Sequence, residues 1–117
     1  MITGIGLEIV EIERIEKINA RGEAFRKKIL TEQELTTYET LSTHRQIEFL
    51  AGRFAAKEAF SKALGTGIGK SCSWLDIEVR KTESGQPILF FKQALVHGFI
   101  SITHTKQYAA AQVVLEK

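Results

Sequence analysis

The chain has 117 residues, of which 44% are hydrophobic and 26% charged, and its formal net charge is +2. This length fits one domain spanning residues 1–117, and the composition is typical of soluble globular proteins. No apolar run approaches the roughly 18 residues of a membrane span, and the N-terminus lacks signal-peptide features. The single cysteine, Cys72, excludes a disulfide within the chain and favours a reducing compartment. We therefore expect a cytoplasmic protein without membrane contact.

The first predicted element is a strand over residues 2–9, because apolar residues recur there at every second position. Three of them, Ile5, Leu7 and Ile9, lie on one face of this strand. The opposite face combines two glycines with Glu8, which leaves room for a ligand or for another backbone to approach.

Two short helices are predicted next, over residues 11–20 and about 22–29. Residues 14–28, within this region, hold six cationic and two acidic side chains. Cations and apolar residues recur at roughly helical steps at Arg14, Ile18, Arg21, Phe25 and Lys28. This stripe suits either an acidic amphipathic partner helix or a core face flanked by solvated cations. The small net charge and the scarcity of aromatic residues there argue against nucleic-acid binding.

The sequence TEQE at residues 31–34 has the pattern of a capping box and predicts a third helix to about Leu41. A similar signal at residues 43–46 predicts the longest helix, which ends near Leu64 because Gly65 suits a left-handed terminator. A turn is predicted at residues 84–87, and strands at residues 75–80, 88–92, 98–104 and 107–115. This order predicts an α+β fold with helices packed on a mainly antiparallel sheet.

Helical spacing divides the longest helix into two faces. The small-residue face carries Ala56, Ala59 and Ala63. The opposite half carries five polar residues, Arg53, Lys57, Glu58, Ser61 and Lys62. A carboxylate, a hydroxyl and three cations on one side indicate a polar site. The alternative is a solvated face in which Glu58 and Lys62 form an i,i+4 pair worth about 0.3–0.5 kcal/mol.

The segment GTGIGK at residues 65–70 directly follows this face. Loops of this composition can wrap backbone N–H groups around phosphates, or can serve only as flexible connections. The segment is not a Walker A loop, because Leu64 stands where that motif needs glycine. His104 ends an apolar strand, where a lone histidine is usually structural, and no histidine or cysteine has the spacing of a zinc site.

Four ordered motifs resemble those of the holo-acyl-carrier-protein synthases, which are 4'-phosphopantetheinyl transferases. The motifs are GIGLEIVEIERI at residues 4–15, FLAGRFAAKEAFSKA at 49–63, GTGIG at 65–69 and SITHT at 101–105. The resemblance implies an α+β subunit in a homotrimer, with coenzyme A bound between neighbouring subunits. It further implies transfer of the 4'-phosphopantetheine group from coenzyme A to a serine of an acidic acyl carrier protein, in support of fatty acid biosynthesis.

The resemblance also implies roles for individual residues. Glu8 and Glu58 would hold Mg2+ on the pyrophosphate of coenzyme A, and Lys62 would stabilise developing negative charge. Coenzyme A would contact Arg53, Lys57, Ser61, Lys62, Gly65, Thr66, Gly67, His104 and Thr105. The carrier protein would contact Arg14, Ile18, Arg21, Phe25 and Lys28. The proton acceptor for the serine stays open between Glu58, a metal-bound water and a deprotonated Lys62.

One position departs from the family pattern, which has aspartate where this chain has Glu8. Mg2+ requires near-octahedral oxygen ligands at about 2.0–2.1 Å. The extra methylene of Glu8 therefore shifts the metal or replaces direct ligation by a water-bridged contact.

Two other functions fit parts of the sequence pattern. They are a non-catalytic module that senses coenzyme A and a small basic nucleic-acid binder.

Overall fold

A computed structural model describes residues 1–117, which form four α-helices, one short 3-10 helix and six strands. The helices are α1 (Ile12–Asn19), α2 (Ala24–Ile29), α3 (Glu32–Thr40) and α4 (Thr43–Leu64), and the 3-10 helix is Trp74–Asp76. The strands are β1 (Ile2–Glu11), β2 (Ile77–Lys81), β3 (Pro87–Phe91), β4 (Ala94–Leu95), β5 (Gly98–His104) and β6 (Tyr108–Glu116). The predicted α+β architecture is confirmed. No helix combines the length and apolar character needed to cross a bilayer.

The strands form two antiparallel sheets where one was predicted, with strand orders β1-β6-β5 and β2-β3-β4. The long helix α4 packs against the first sheet, chiefly on β1 and β6. The core between them contains alternate residues of β6, Ala109, Ala111, Val113 and Leu115. The helices α1 to α3 pack on other sides of α4, so this helix is covered over most of its circumference.

The glycines of β1 allow its backbone to lie directly on α4. A Cβ atom at Gly4 would stand 2.0 Å from the carbonyl oxygen of Ala63, and one at Gly6 would stand 1.8 Å from that of Ala59. Of the two explanations that the sequence allowed for these glycines, the approach of another backbone is the one observed. This contact brings Glu8, the next residue on the glycine face of β1, beside the C-terminal half of α4.

The opposite, apolar face of β1 is exposed. Ile5, Leu7 and Ile9 are each about 60% exposed, and Phe99 of β5, on the same sheet, is 61% exposed. Ile5 and Phe99 flank Val114 of β6 from opposite sides in the strand register. The predicted alternation of β1 is thus confirmed, but the core lies on its glycine face. Exposed apolar patches of this kind often indicate surfaces that bind another protein or a ligand.

Local signals account for most element ends. The predicted capping box at Thr31 and Glu34 forms, and Gly65 ends α4 with φ of 91°. The cap of α4 is Ser42 rather than the predicted Thr43, since the Ser42 hydroxyl accepts from the N–H of Arg45. Strand β4 was not predicted. It follows a two-residue turn in which Lys92 and Gln93 both have positive φ, although neither residue is typical of such turns.

Candidate functional site

The five polar residues of α4 differ in exposure, although their spacing had indicated a single polar site. Arg53, Lys57 and Ser61 are buried, whereas Glu58 is half-buried and Lys62 is exposed. Their exposures differ because α4 is packed on several sides. Spacing alone could not tell which polar residues face a neighbouring element and which face solvent. The Ser61 hydroxyl donates to the backbone oxygen of Glu58 at 2.7 Å and stays within the helix.

Lys57 lies at the centre of a buried polar network. Its ammonium group donates to Glu34 Oε1 and the Ile29 backbone oxygen at 2.7 Å each, and to the Trp74 backbone oxygen at 3.1 Å. Burial lowers the pKa of Lys57, and the carboxylate of Glu34 opposes this. An ammonium has three N–H donors, and all three are used here. Lys57 thus ties α4 to α2, α3 and the 3-10 helix and has no N–H left for another partner, and cofactor binding by Lys57 stays a prediction.

Glu8 and Glu58 form an acidic pair, one from β1 and one from α4, with Lys62 beside them. Burial raises the pKa of Glu58, and Glu8 raises it further, while Lys62 and Arg14 oppose the shift. Lys62 donates to Glu8 Oε1 at 2.5 Å and to the Leu7 backbone oxygen at 3.3 Å. The expected i,i+4 ion pair between Glu58 and Lys62 is replaced by this pairing with Glu8. Three predicted site residues are thus brought together, and the exposed Arg14 of α1 lies near enough to influence them.

The acidic pair has the chemistry of a partial site for a hard divalent cation. Carboxylate oxygens are the ligands that Mg2+ prefers, and two neighbouring carboxylates lose their mutual repulsion when a cation lies between them. No group of three or more histidine, cysteine or acidic side chains is arranged so that it could hold a metal ion. Glu8 and Glu58 would therefore need water or substrate oxygens to complete the coordination of such an ion.

The glycine-rich loop after α4 is turned back onto the helix. The N–H groups of Gly65, Thr66 and Gly67 donate to the Ser61 backbone oxygen at 3.1, 3.2 and 3.1 Å. These donors cap the helix, so they do not form the expected phosphate cradle in this conformation. The positive φ of Gly67, 68°, permits the tight turn.

A cationic cleft of about 710 Å³ opens between α3, α4, the β2–β3 hairpin and β5. Its lining includes Arg45, Arg53, Arg80, Lys81 and His104. Two predicted cofactor-binding residues, Arg53 and His104, thus line this cleft. Thr105 follows at the end of β5, where its hydroxyl accepts from two backbone N–H groups of the β5–β6 turn.

Arg53 is the buried cation of this cleft. Its side-chain Nε is buried without a hydrogen-bond partner, and its guanidinium carbon lies 4.2 Å from the centre of the Phe49 ring. Burial lowers the pKa of Arg53, and Glu34 opposes the shift. Glu48 lies 3.8 Å from both Arg45 and His104 and offsets part of the positive charge. An incompletely paired arginine in a cationic cleft is suited to an anionic ligand.

Sequence reasoning missed Arg45, Glu48, Arg80 and Lys81 of this cleft. The eight-residue spacing of Arg45 and Arg53 places both on one side of α4 and could have linked them. The contribution of the β2–β3 hairpin could not have been inferred, since it depends on how the second sheet packs against α3.

The family model of the 4'-phosphopantetheinyl transferase superfamily matches residues 4–113. The chain belongs to this superfamily. The holo-[acyl-carrier-protein] synthase of Bacillus subtilis (strain 168) is 57% identical over 120 residues, an alignment that covers all of this chain and 98% of the relative.

Solved structures of the same superfamily superpose closely on this chain. A holo-(acyl-carrier-protein) synthase from Bacillus anthracis str. Ames, in complex with CoA (3',5'-ADP), gives a TM-score of 0.89 at 51% identity and covers 100% of this chain and 98% of its own. The Helicobacter pylori holo-[acyl-carrier-protein] synthase in complex with coenzyme A gives 0.83 at 33% identity, with coverages of 96% and 99%.

In this chain, the surface formed by α1 and α2 adjoins the acidic pair of Glu8 and Glu58. Arg14, Arg21 and Lys28 are exposed, and Ile18 and Phe25 are half-buried. The five residues of the predicted stripe therefore combine free cations with partly accessible apolar side chains. The three other cations of residues 14–28 have internal partners.

Lys17, Arg26 and Lys27 are those three cations, and Lys17 pairs with Glu13 at 3.0 Å. Arg26 donates to the Asn19 side-chain oxygen and to the Gly22 backbone oxygen, each at 3.1 Å, and Lys27 pairs with Glu23 at 3.0 Å. Their positive charge is thus partly neutralised within the chain, and the free charge of the α1–α2 surface is concentrated on the stripe.

Proposed function

We propose that this chain is a holo-[acyl-carrier-protein] synthase, with residues 1–117 as one transferase domain. It transfers the 4'-phosphopantetheine group of coenzyme A to a serine of an apo acyl carrier protein and releases adenosine 3',5'-bisphosphate. The observation that carries the proposal is the convergence of Glu8, Glu58 and Lys62 beside exposed Arg14. It is supported by full-length relatives of that name and by the Bacillus anthracis structure in complex with CoA (3',5'-ADP).

The reaction is a phosphoryl transfer. The serine oxygen of the carrier forms a bond to the phosphorus that bears the pantetheine arm, and the bond from that phosphorus to the bisphosphate breaks. Lys62 offers positive charge to the phosphate oxygens that gain negative charge. The serine proton would pass to Glu58 or to a water bound to the metal.

We include Mg2+ in the proposal, held by Glu8 and Glu58. The ion would neutralise the pyrophosphate and favour departure of the bisphosphate. Both side chains fit Mg2+ because they offer carboxylate oxygens. Burial and repulsion by Glu8 raise the pKa of Glu58, and a cation between the two carboxylates would relieve that repulsion. The extra methylene of Glu8 makes Glu58 the more direct ligand of the two.

The cationic cleft suits the nucleotide end of coenzyme A, which carries a phosphate on its ribose in addition to the pyrophosphate. Arg53 supplies a buried guanidinium whose Nε has no protein partner, and Arg45 and His104 lie at the same cleft. An anionic group bound there would satisfy the orphan donor, which is costly to leave unpaired in a buried position.

We further propose that the active assembly is a homotrimer. The apolar patch of Ile5, Leu7, Ile9 and Phe99 requires a partner surface, and a second copy of the chain presents the same sheet. In such an assembly, the cleft of one subunit would complete the acidic pair of its neighbour. The buried, unpaired Cys72 fits a reducing compartment, so we place this assembly in the cytoplasm.

The carrier protein would dock on the α1–α2 surface. Acidic side chains of the carrier would meet Arg14, Arg21 and Lys28, and an apolar contact would reach Ile18 and Phe25. Because Arg14 also influences Glu58, this surface leads directly to the acidic pair. A docked carrier would therefore present its serine close to the reacting phosphate.

The test is to incubate the protein with coenzyme A, Mg2+ and apo carrier protein, and then to weigh the carrier. We expect a mass gain of one phosphopantetheine and equimolar adenosine 3',5'-bisphosphate. Glu58→Gln should abolish the gain, whereas Glu13→Gln, at an exposed ion pair with Lys17, should leave it unchanged. Binding of coenzyme A without any mass gain of the carrier would refute the proposal.

A further inference from the structure

Lys62 forms an ion pair with one member of the acidic pair, Glu8. Lys62 contacts Glu8 Oε1 at 2.5 Å, while Glu58 forms no ion pair. The ammonium is held in place by the Leu7 backbone oxygen as well, so β1 fixes it at two points. One of the two carboxylates proposed to hold the metal is thus already neutralised by the residue proposed to bind phosphate.

These two uses of Glu8 compete. A divalent cation on Glu8 would face the ammonium of Lys62 at short range, and their like charges would repel each other. The ion pair is solvent-accessible, with Lys62 51% and Glu8 24% exposed, so it can open without rearrangement of the fold. An incoming phosphate offers Lys62 a stronger partner, because a phosphate carries more charge and more acceptor oxygens than a carboxylate.

We propose that Lys62 acts as a gate on the metal site, an inference that rests on the proposed function. In the cofactor-free enzyme, Lys62 holds Glu8 and keeps divalent cations out. When the phosphates of coenzyme A draw the ammonium away, Glu8 and Glu58 together become available to the metal. Binding of coenzyme A and of the metal is then positively coupled, and the coupling is reciprocal.

The gate can be measured without turnover, by electron paramagnetic resonance of free Mn2+ during titration of the cofactor-free protein. We expect Lys62→Met to bind Mn2+ about tenfold more tightly than the unmodified protein, and Lys62→Arg to bind it about equally. Adding coenzyme A should tighten Mn2+ binding by a larger factor in the unmodified protein than in Lys62→Met. The double variant Lys62→Met with Glu58→Gln should not show the tighter Mn2+ binding expected of Lys62→Met alone.

Arg14→Met is the matched control, because Arg14 lies near Glu58 but forms no ion pair with Glu8. Its effect on Mn2+ affinity should be clearly smaller than that of Lys62→Met. An equal effect would mean that general positive charge, and not the Glu8–Lys62 pair, excludes the metal, and would overturn the gate. Unchanged or weaker Mn2+ binding by Lys62→Met would also overturn it. If the unmodified protein still transfers phosphopantetheine, either result overturns the gate and leaves the proposed function intact. Absence of transfer by the unmodified protein would instead refute the proposed function.

Discussion

Lys57 and Lys62 lie five residues apart on α4, and substitution of each by methionine should have opposite consequences. Lys57→Met removes the ammonium that joins Glu34 to two backbone oxygens. Glu34 is only 2% exposed, and its carboxylate would be left without its cation. Removing one partner of a buried ion pair costs about 3–5 kcal/mol of folding free energy. For a chain of this size, that corresponds to a fall in Tm of roughly 12–20 °C.

The assay is thermal unfolding by circular dichroism, combined with transfer kinetics well below Tm. Lys57→Met should lose stability, and the correctly folded fraction should retain much of its kcat. Lys62→Met should keep its Tm within about 2 °C, since its ion pair is largely exposed, and lose about 10²–10³ in rate. A Lys57→Met variant with unchanged Tm and lost affinity for coenzyme A would refute the structural role of Lys57. It would also support the prediction that this residue binds the cofactor.

Four further predictions follow from the packing and charges of the site. Gly6→Ala should cost about 3 kcal/mol or more in urea unfolding, because its Cβ meets the Ala59 carbonyl oxygen, whereas Gly69→Ala, with open space around it, should be near neutral. In metal-free buffer, Glu58→Gln should be more stable than the unmodified protein at pH 7. Because the pKa of Glu58 is raised in the folded state, that advantage should disappear as the pH falls below 4.5; equal stability at pH 7 would contradict it. Glu8→Asp should keep or raise Mg2+-dependent turnover, and a large loss would argue against Glu8 as a ligand. The KM for the carrier protein should rise with ionic strength as the Debye length falls below about 10 Å above 0.1 M salt, and a salt-independent KM would remove electrostatic docking.

Much of the fold follows from local chemistry in the sequence. The capping box at Thr31, the terminator at Gly65 and the alternation of β1 act over a few residues, so each could be predicted without knowledge of the rest of the chain. Strand β4 escaped prediction because its turn at Lys92 and Gln93 uses positive φ without glycine or asparagine. The division into two sheets depends on long-range packing, for which no local signal exists.

The candidate site was only partly predictable for the same reason. Motif resemblance identified Glu8, Glu58 and Lys62, and the structure places them together. Spacing on α4 could not reveal that Lys57 faces the interior, because its partners Glu34 and Trp74 come from separate parts of the chain. The cationic cleft likewise draws its lining from α3, α4 and two hairpins, which only the folded chain brings together.

The proposed function requires a divalent cation between Glu58, Glu8 and the pyrophosphate of coenzyme A. Anomalous diffraction from crystals grown with coenzyme A and Mn2+ tests it most directly. One strong Mn2+ peak should lie within direct coordination distance of a Glu58 carboxylate oxygen and a pyrophosphate oxygen, with Lys62 moved from Glu8 to phosphate. Bound coenzyme A with no Mn2+ peak at this position, or with the only peak elsewhere, would contradict the account.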